Sequence, residues 1–197
     1  MTSTNTQPSQ KTKAYTLTIP VSHFLAASVF MSTEETRYYL CGIMIRKTEG
    51  GIELCSTCGH RAIIIPLVIE DVPDFEQFIV KSEDVKKIKA VKHHTNMEII
   101  RNETEVILSY AGMAIKGMEI DKTFPDIDRV FPSADRKCNV SGGIGFNPVY
   151  LADFVKVNKH ISTDKLTPIK MQFGDADSPV LITAPGLYRA CVMPMRV

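Results

Sequence analysis

No stretch of this 197-residue sequence approaches the 18 apolar residues a membrane-crossing helix needs, so no membrane span or membrane partner is expected. The amino-terminal run MTSTNTQPSQKTK has no apolar centre. That removes a secretory signal peptide and predicts a flexible polar tail over residues 1–13. Charge of one sign is also lacking: 23 Lys and Arg stand against 22 Asp and Glu, for a net charge of +1. A strongly basic DNA-coating protein is thereby excluded. A locally basic face is not, because a net charge hides its own distribution. Trp is absent, which excludes nothing. The five cysteines are an odd number in a chain without an export signal, which points to a reduced, intracellular protein.

Catalytic and cofactor signatures are missing as well. Cys55 and Cys58 form a C-x-x-C with His60 just after it, but zinc wants four ligands and no second C-x-x-C exists. Cys41, Cys138 and Cys191 are scattered singly. Nothing resembles a Ser-His-Asp group. Gly142-Gly143-Ile144-Gly145 lacks the glycine spacing and the parallel βαβ setting of a dinucleotide loop. The expectation is a protein that is not an enzyme and holds no metal and no cofactor. An enzyme using Cys55, Cys58 and His60 is the competing reading; it predicts bound metal or a reactive thiol.

What is present is ordinary globular composition, 44% hydrophobic and 23% charged, in a mass of 22.0 kDa. That suits one large domain or two small ones. Alternating residues predict a strand at 14–19, and Phe24, Leu25, Val29 and Phe30 predict a helix opening at Pro20 and Ser22. Strands follow at 37–46, 52–56 and 61–69. The same order then recurs. A strand at 75–80 precedes a helix over 82–94, capped by Ser82, and strands at 97–100, 105–110 and 113–120. A linker over 121–137 carries Pro125 and Pro132. A third round has a strand at 139–146, a helix from Asn147-Pro148 to about His160, and strands at 168–173, 179–184 and 187–193. The pattern is three βαβββ blocks of about 60 residues in an α+β fold, with helices on one face of antiparallel sheets. The first two blocks, 14–72 and 73–132, make one domain, and 133–197 is a half domain.

Particular strings add to the pattern. The first block carries Arg37-Tyr38-Tyr39-Leu40-Cys41-Gly42 and Thr57-Cys58-Gly59-His60-Arg61. The second ends Phe124-Pro125-Asp126-Ile127-Asp128-Arg129-Val130-Phe131-Pro132. The third has Phe146-Asn147, Tyr150-Leu151 and Ser178-Pro179-Val180, and closes on Met193-Pro194-Met195-Arg196. In this order they resemble the bacterial DNA polymerase III β subunit, the sliding clamp, whose pattern reads RYYLNG, TDGHR, FPDYRRVIP, FN-x-x-YL, SPV and a terminal MPMR. Each string alone is weak; together and in order they are specific. Cys41 stands for the usual Asn and Cys58 for the usual Asp. Members of that family have six such blocks, and here there are three.

The resemblance implies a DNA-clamp fold and a processivity factor that encircles double-stranded DNA and tethers a polymerase. An inner wall should be positive and blind to sequence, since phosphate contacts suffice. Lys86, Lys87, Lys89, Lys92 and His93 on the second helix would supply it, with Lys156 and Lys159 on the third. It also implies an apolar pocket for a short linear motif of DNA polymerase and of a clamp loader. Position by position this marks Leu40, Thr57, Gly59, His60, Arg61 and Ala62 in the first block. Later in the chain it marks Pro132 and Pro179, and then Val192, Met193, Pro194, Met195 and Arg196. Methionines adapt to apolar side chains and prolines stiffen walls. Family rings close with twelve blocks, so three per chain imply a homo-oligomer of four, with like ends meeting. The implied setting is the cytoplasm of a bacterial or phage-infected cell. A clamp-like regulator that binds clamp partners without encircling DNA is the alternative.

Overall fold

The computed structural model describes residues 14–89, 95–133, 135, 137–138, 143–164 and 166–196. In chain order the elements are β1 (Tyr15–Pro20), α1 (Val21–Ser28), β2 (Gly42–Thr48), β3 (Gly51–Thr57), β4 (Arg61–Val68), β5 (Phe78–Lys81) and α2 (Ser82–Val85). Then follow β6 (Asn96–Asn102), β7 (Glu105–Tyr110), β8 (Met113–Met118), α3 (Pro148–Ile161), β9 (Lys170–Gln172), β10 (Val180–Ala184) and β11 (Tyr188–Val192). Short 3-10 helices occupy Glu35–Leu40 and Ile127–Val130. No helix among the described residues is long and apolar enough to cross a membrane.

The strands form two antiparallel sheets, in the orders β1-β6-β7-β8 and β5-β2-β3-β4-β11-β10-β9. The first two rounds of the pattern interlock by exchanging their opening strands. β1 leaves its own hairpins and pairs with β6, from Tyr15↔Arg101 to Pro20↔Asn96. β5 crosses the other way and pairs with β2, from Gly42↔Lys81 to Ile45↔Phe78. β11 then joins β4, from Arg61↔Val192 to Arg189↔Ile64, so one sheet runs unbroken into the third round. The β2–β3 hairpin depends on Gly51 at φ 141°, where any Cβ would lie 2.1 Å from the Leu67 carbonyl oxygen.

The helices sit on one face. α1 packs against α2, α3 and the strands beneath, and buries Val21, Phe24, Ala26 and Ala27. The two alanines allow the close approach. α3 adds Phe154, Val157 and Ile161 to the same core. The opposite face of the long sheet has its own cluster: Met44, Cys55, Ile64, Ile79 and Cys191 lie under Ile120, Phe124 and Ile127 of the 121–133 segment. Strands covered on both faces read as unbroken apolar runs, as Ala62 to Ile65 do.

The structure departs from the sequence expectations in three places. Residues 37–40 are 3-10 helix rather than strand. Tyr38 is exposed there and no strand pairs with it among the described residues, so β-propensity has nothing to act on. Of the helix expected over 82–94, Ser82–Val85 is helix, 86–89 is not, and 90–94 lies outside the described residues. Its continuation is diverted because the Lys89 amide donates to the Tyr110 hydroxyl at 2.9 Å instead of to a helical carbonyl. Ser82 is not its cap; Lys81 holds that position, and the Ser82 amide donates to the Cys41 carbonyl at 2.8 Å. The strand expected at 139–146 lies partly outside the described residues, and its described part contributes the bridge Gly145↔Met195.

Candidate functional site

A cavity of about 140 Å³ opens where the 121–133 segment crosses the β4–β11 junction, on the face away from the helices. Leu40, Thr57 and the turn residues Gly59 to Ala62 form one side. Pro125, Asp126, Ile127 and Val130 form the second, and Pro179, Cys191 and Met193 the third. The turn is shaped locally: the Thr57 hydroxyl donates to the Arg61 carbonyl at 2.8 Å and accepts from the Gly59 amide at 3.0 Å. The Met193 amide donates to the His60 carbonyl at 2.8 Å, which ties the end of the chain to that turn.

Charge pins the crossing segment. Arg46 Nε donates to Glu53 at 2.7 Å, and both its terminal nitrogens reach Asp128, at 2.5 and 3.1 Å. Arg189 donates to the same carboxylate at 2.8 Å and lies over the Phe131 ring, 5.1 Å from its centroid. The hydrogen bond from Arg46 holds the Asp128 carboxyl below the usual carboxylate range, against some burial. Ile127 and Val130 are thus held over the sheet by ion pairs at their own turn.

Arg61 is a second tie, and a buried one. Its guanidinium pairs with Asp153 of α3, donates to the Val29 carbonyl at 3.0 Å, and lies 4.6 and 4.7 Å from the ring centroids of Phe30 and Tyr150. Burial works to raise the Asp153 pKa, but Lys156 and Arg61 outweigh it and hold the carboxyl down. The charge of Arg61 is therefore spent on joining the first and third rounds, and the exposed polar side chains beside the cavity are Asp126 and His60, the latter stacked on Tyr150 at 6.2 Å.

Among the residues marked from sequence, Leu40, Thr57, Gly59, His60, Arg61, Ala62, Pro179 and Met193 come together at the cavity. Pro132, Val192, Pro194, Met195 and Arg196 lie outside its lining. Val192 points the other way, into the main core, because strand alternation gives Cys191 the cavity side. Pro125, Asp126, Ile127, Val130 and Cys191 were not marked; the first four belong to the Phe124–Pro132 string, which held the signal. Cys55 is buried in the cluster beneath and its thiol is pushed up to about 12 by burial, while Cys58 is half-buried at the turn; both are free thiols.

On the helix side, Lys86, Lys87 and Lys89 are exposed near α2, and Lys156 and Lys159 on α3. Lys87 is paired with Asp84 at 2.7 Å and Lys156 with Asp153 at 2.6 Å. Lys92 and His93 lie outside the described residues. α1, between the other two helices, offers only His23, whose pKa is lowered by burial.

No family model matches the chain, and no curated protein does. Solved structures do. A DNA polymerase sliding clamp from Pseudomonas aeruginosa superposes with TM-score 0.73 at 18% identity, over 92% of this chain and 66% of that one. A DnaN sliding clamp from Bartonella birtlesii, bound to griselimycin, gives 0.70 at 20%, over 98% and 68%. The DNA polymerase III β chain from Streptococcus pneumoniae gives 0.75 at 13%, over 98% and 68%. The chain spans about two thirds of the length of the clamps it matches. It has the fold of the bacterial DNA polymerase III β sliding clamps.

Proposed function

We propose that this protein is a non-catalytic clamp: a processivity factor that closes into a ring of four copies around duplex DNA and tethers a polymerase through the cavity beside Met193. The observation that carries this reading is the cavity itself. Separated stretches of chain converge there, and they build an apolar pocket walled by Leu40, Ile127, Val130, Met193 and two prolines on a sheet with strands from all three rounds of the pattern. A pocket of this size and lining suits one or two apolar side chains of a linear motif, with His60 at its rim for a polar contact. Lys86, Lys89 and Lys159 make no ion pair among the described residues and would meet phosphates without reading bases. The work is done in the cytoplasm of a bacterial or phage-infected cell, with a clamp loader as a second partner.

One observation favours a clamp-like regulator instead. The centre of the helix layer, α1, is uncharged, and Lys87 and Lys156 are already paired within the chain. Such a wall attracts DNA weakly.

Griselimycin, which occupies a related solved clamp, is the probe. Titration should show saturable binding that Met193→Glu abolishes while leaving the melting temperature unchanged. Light scattering should give the mass of four chains, and the protein should stay on a nicked circular plasmid but run off once it is linearised. No griselimycin binding would refute the pocket. Binding with equal release from circular and linear DNA would leave the regulator.

A further inference from the structure

The sheet ends are finished differently. At β1 the Phe75 ring stacks on Tyr15, at the start of the strand, with centroids 5.1 Å apart. β5 is covered by the chain beyond β8, where the Ile120 amide donates to the Ile79 carbonyl at 3.0 Å. β9 has three residues. β8 has six, pairs with β7 along its whole length, and has no strand on its other side among the described residues.

The chain itself shows how such an edge is completed. β4 ends the three-strand run of the first round as β8 ends that of the second, and β11 takes β4's free edge in four antiparallel pairs. The first five residues of β4 are buried, whereas Met113 and Met118 of β8 are 39% and 49% exposed. Open edges are ordinarily blunted by proline or several charges. β8, Met-Ala-Ile-Lys-Gly-Met, has no proline and one lysine.

We infer that β8 pairs antiparallel with β8 of a second copy of this chain, with Ile115 on the two-fold axis. The register follows from symmetry. Opposite residues of an antiparallel pair point to the same face, so a two-fold normal to the sheet must set one residue against its own copy. The two central residues of β8 are Ile115 and Lys116. Lys116 on the axis would place like charges directly opposite, which is destabilising. Ile115 on the axis sets Met113 against Gly117 and Ala114 against Lys116, so each long side chain faces a short one. This joint deepens the ring reading and rests on it for its place in the assembly, supplying one of the two kinds of like-end contact a ring of four needs.

Cysteine at position 115 tests the register directly. In a Cys138→Ser background, which removes an exposed thiol, Ile115→Cys should give a disulfide-linked dimer on a non-reducing gel under mild oxidation. Lys116→Cys should not, because its copies stand two pairs apart, beyond disulfide reach. Ala114→Lys, which sets Lys against Lys116 of the other copy twice per joint, should weaken association about tenfold by light scattering, and Ala114→Glu should not. No link at 115, a link at 116 instead, or equal masses for the Lys and Glu variants would overturn the proposal. The two readings fail separately: an oligomer indifferent to these variants that binds griselimycin keeps the clamp and loses this joint, and a link at 115 without griselimycin binding does the reverse.

Discussion

Asp153→Ala should be among the most damaging single changes in the molecule, and it lies outside the lining of the cavity. Asp153 is 4% exposed and Arg61 9%, so the substitution leaves a largely buried guanidinium without its carboxylate. Breaking a buried ion pair from one side costs about 3–5 kcal/mol. Arg61 keeps the Val29 carbonyl and the faces of Phe30 and Tyr150, which puts the expectation near the lower end, about 3 kcal/mol. For a chain of this length that is about 6–12 °C in melting temperature. The double variant Arg61→Met with Asp153→Leu removes both charges and keeps apolar bulk, so it should fall within about 1 kcal/mol of the parent. Urea unfolding followed by circular dichroism measures all three proteins. A cost below about 0.5 kcal/mol for Asp153→Ala, or a double variant as unstable as the single one, would refute the reasoning. The acid limb gives a second check. The folded Asp153 carboxyl is held below its unfolded value of about 3.9, so its contribution is complete above that pH. It fades as pH falls through the lower folded value, and Asp153→Asn should flatten the loss of stability in that window.

Three further outcomes are expected. Gly117→Ala should cost about 1–3 kcal/mol in the same urea assay, because its Cβ would lie 1.9 Å from the buried Asp84 carboxylate of α2. In a thiol titration at pH 8, Cys55 and Cys191, both pushed up to about 12 by burial, should stay silent until the protein unfolds, so at most three of five thiols react in the native state. Asp128→Asn should change global stability by less than about 1 kcal/mol, since the carboxylate is partly exposed. It should still speed amide exchange at Ile127–Val130 several-fold, read by hydrogen-exchange mass spectrometry.

Where local chemistry and tertiary context agree, the elements are legible in the residues. α3 begins at Pro148 with Asn147 accepting from the Val149 amide, as its cap spacing predicts, and β7 spans the alternating run Glu105–Tyr110. Where a single long-range bond decides, they are not. Residues 82–89 have helical periodicity in Val85 and Ile88, yet the Tyr110 hydroxyl takes the Lys89 amide and the turn ends. Tyr38 and Tyr39 have the composition of a strand but no strand beside them among the described residues. Neither the acceptor for the Lys89 amide nor the missing neighbour is a property of the local sequence.

The candidate site divides along the same line. The turn Thr57–Ala62 and the residues Pro179 and Met193 can be marked from strings; the turn holds its shape by local bonds, and the Met193 amide ties the strand end to it. The side facing them depends on which of two adjacent residues points toward the cavity, and on which part of a proline-bearing segment crosses the sheet. The first is a matter of strand parity, and it exchanges Val192 for Cys191. The second is settled by Asp128, which brings together Arg46 of β2 and Arg189 of β11 and so lays Ile127 and Val130, rather than Pro132, over the sheet. An apolar run such as Ala62 to Ile65 announces that both faces of its strand are covered, but what covers the second face is decided by two ion pairs of Asp128, with Arg46, 82 positions away, and with Arg189, 61 positions away. The cavity is therefore a product of tertiary electrostatics laid over local turns. A change that loosens Asp128 should open it without disturbing a single strand.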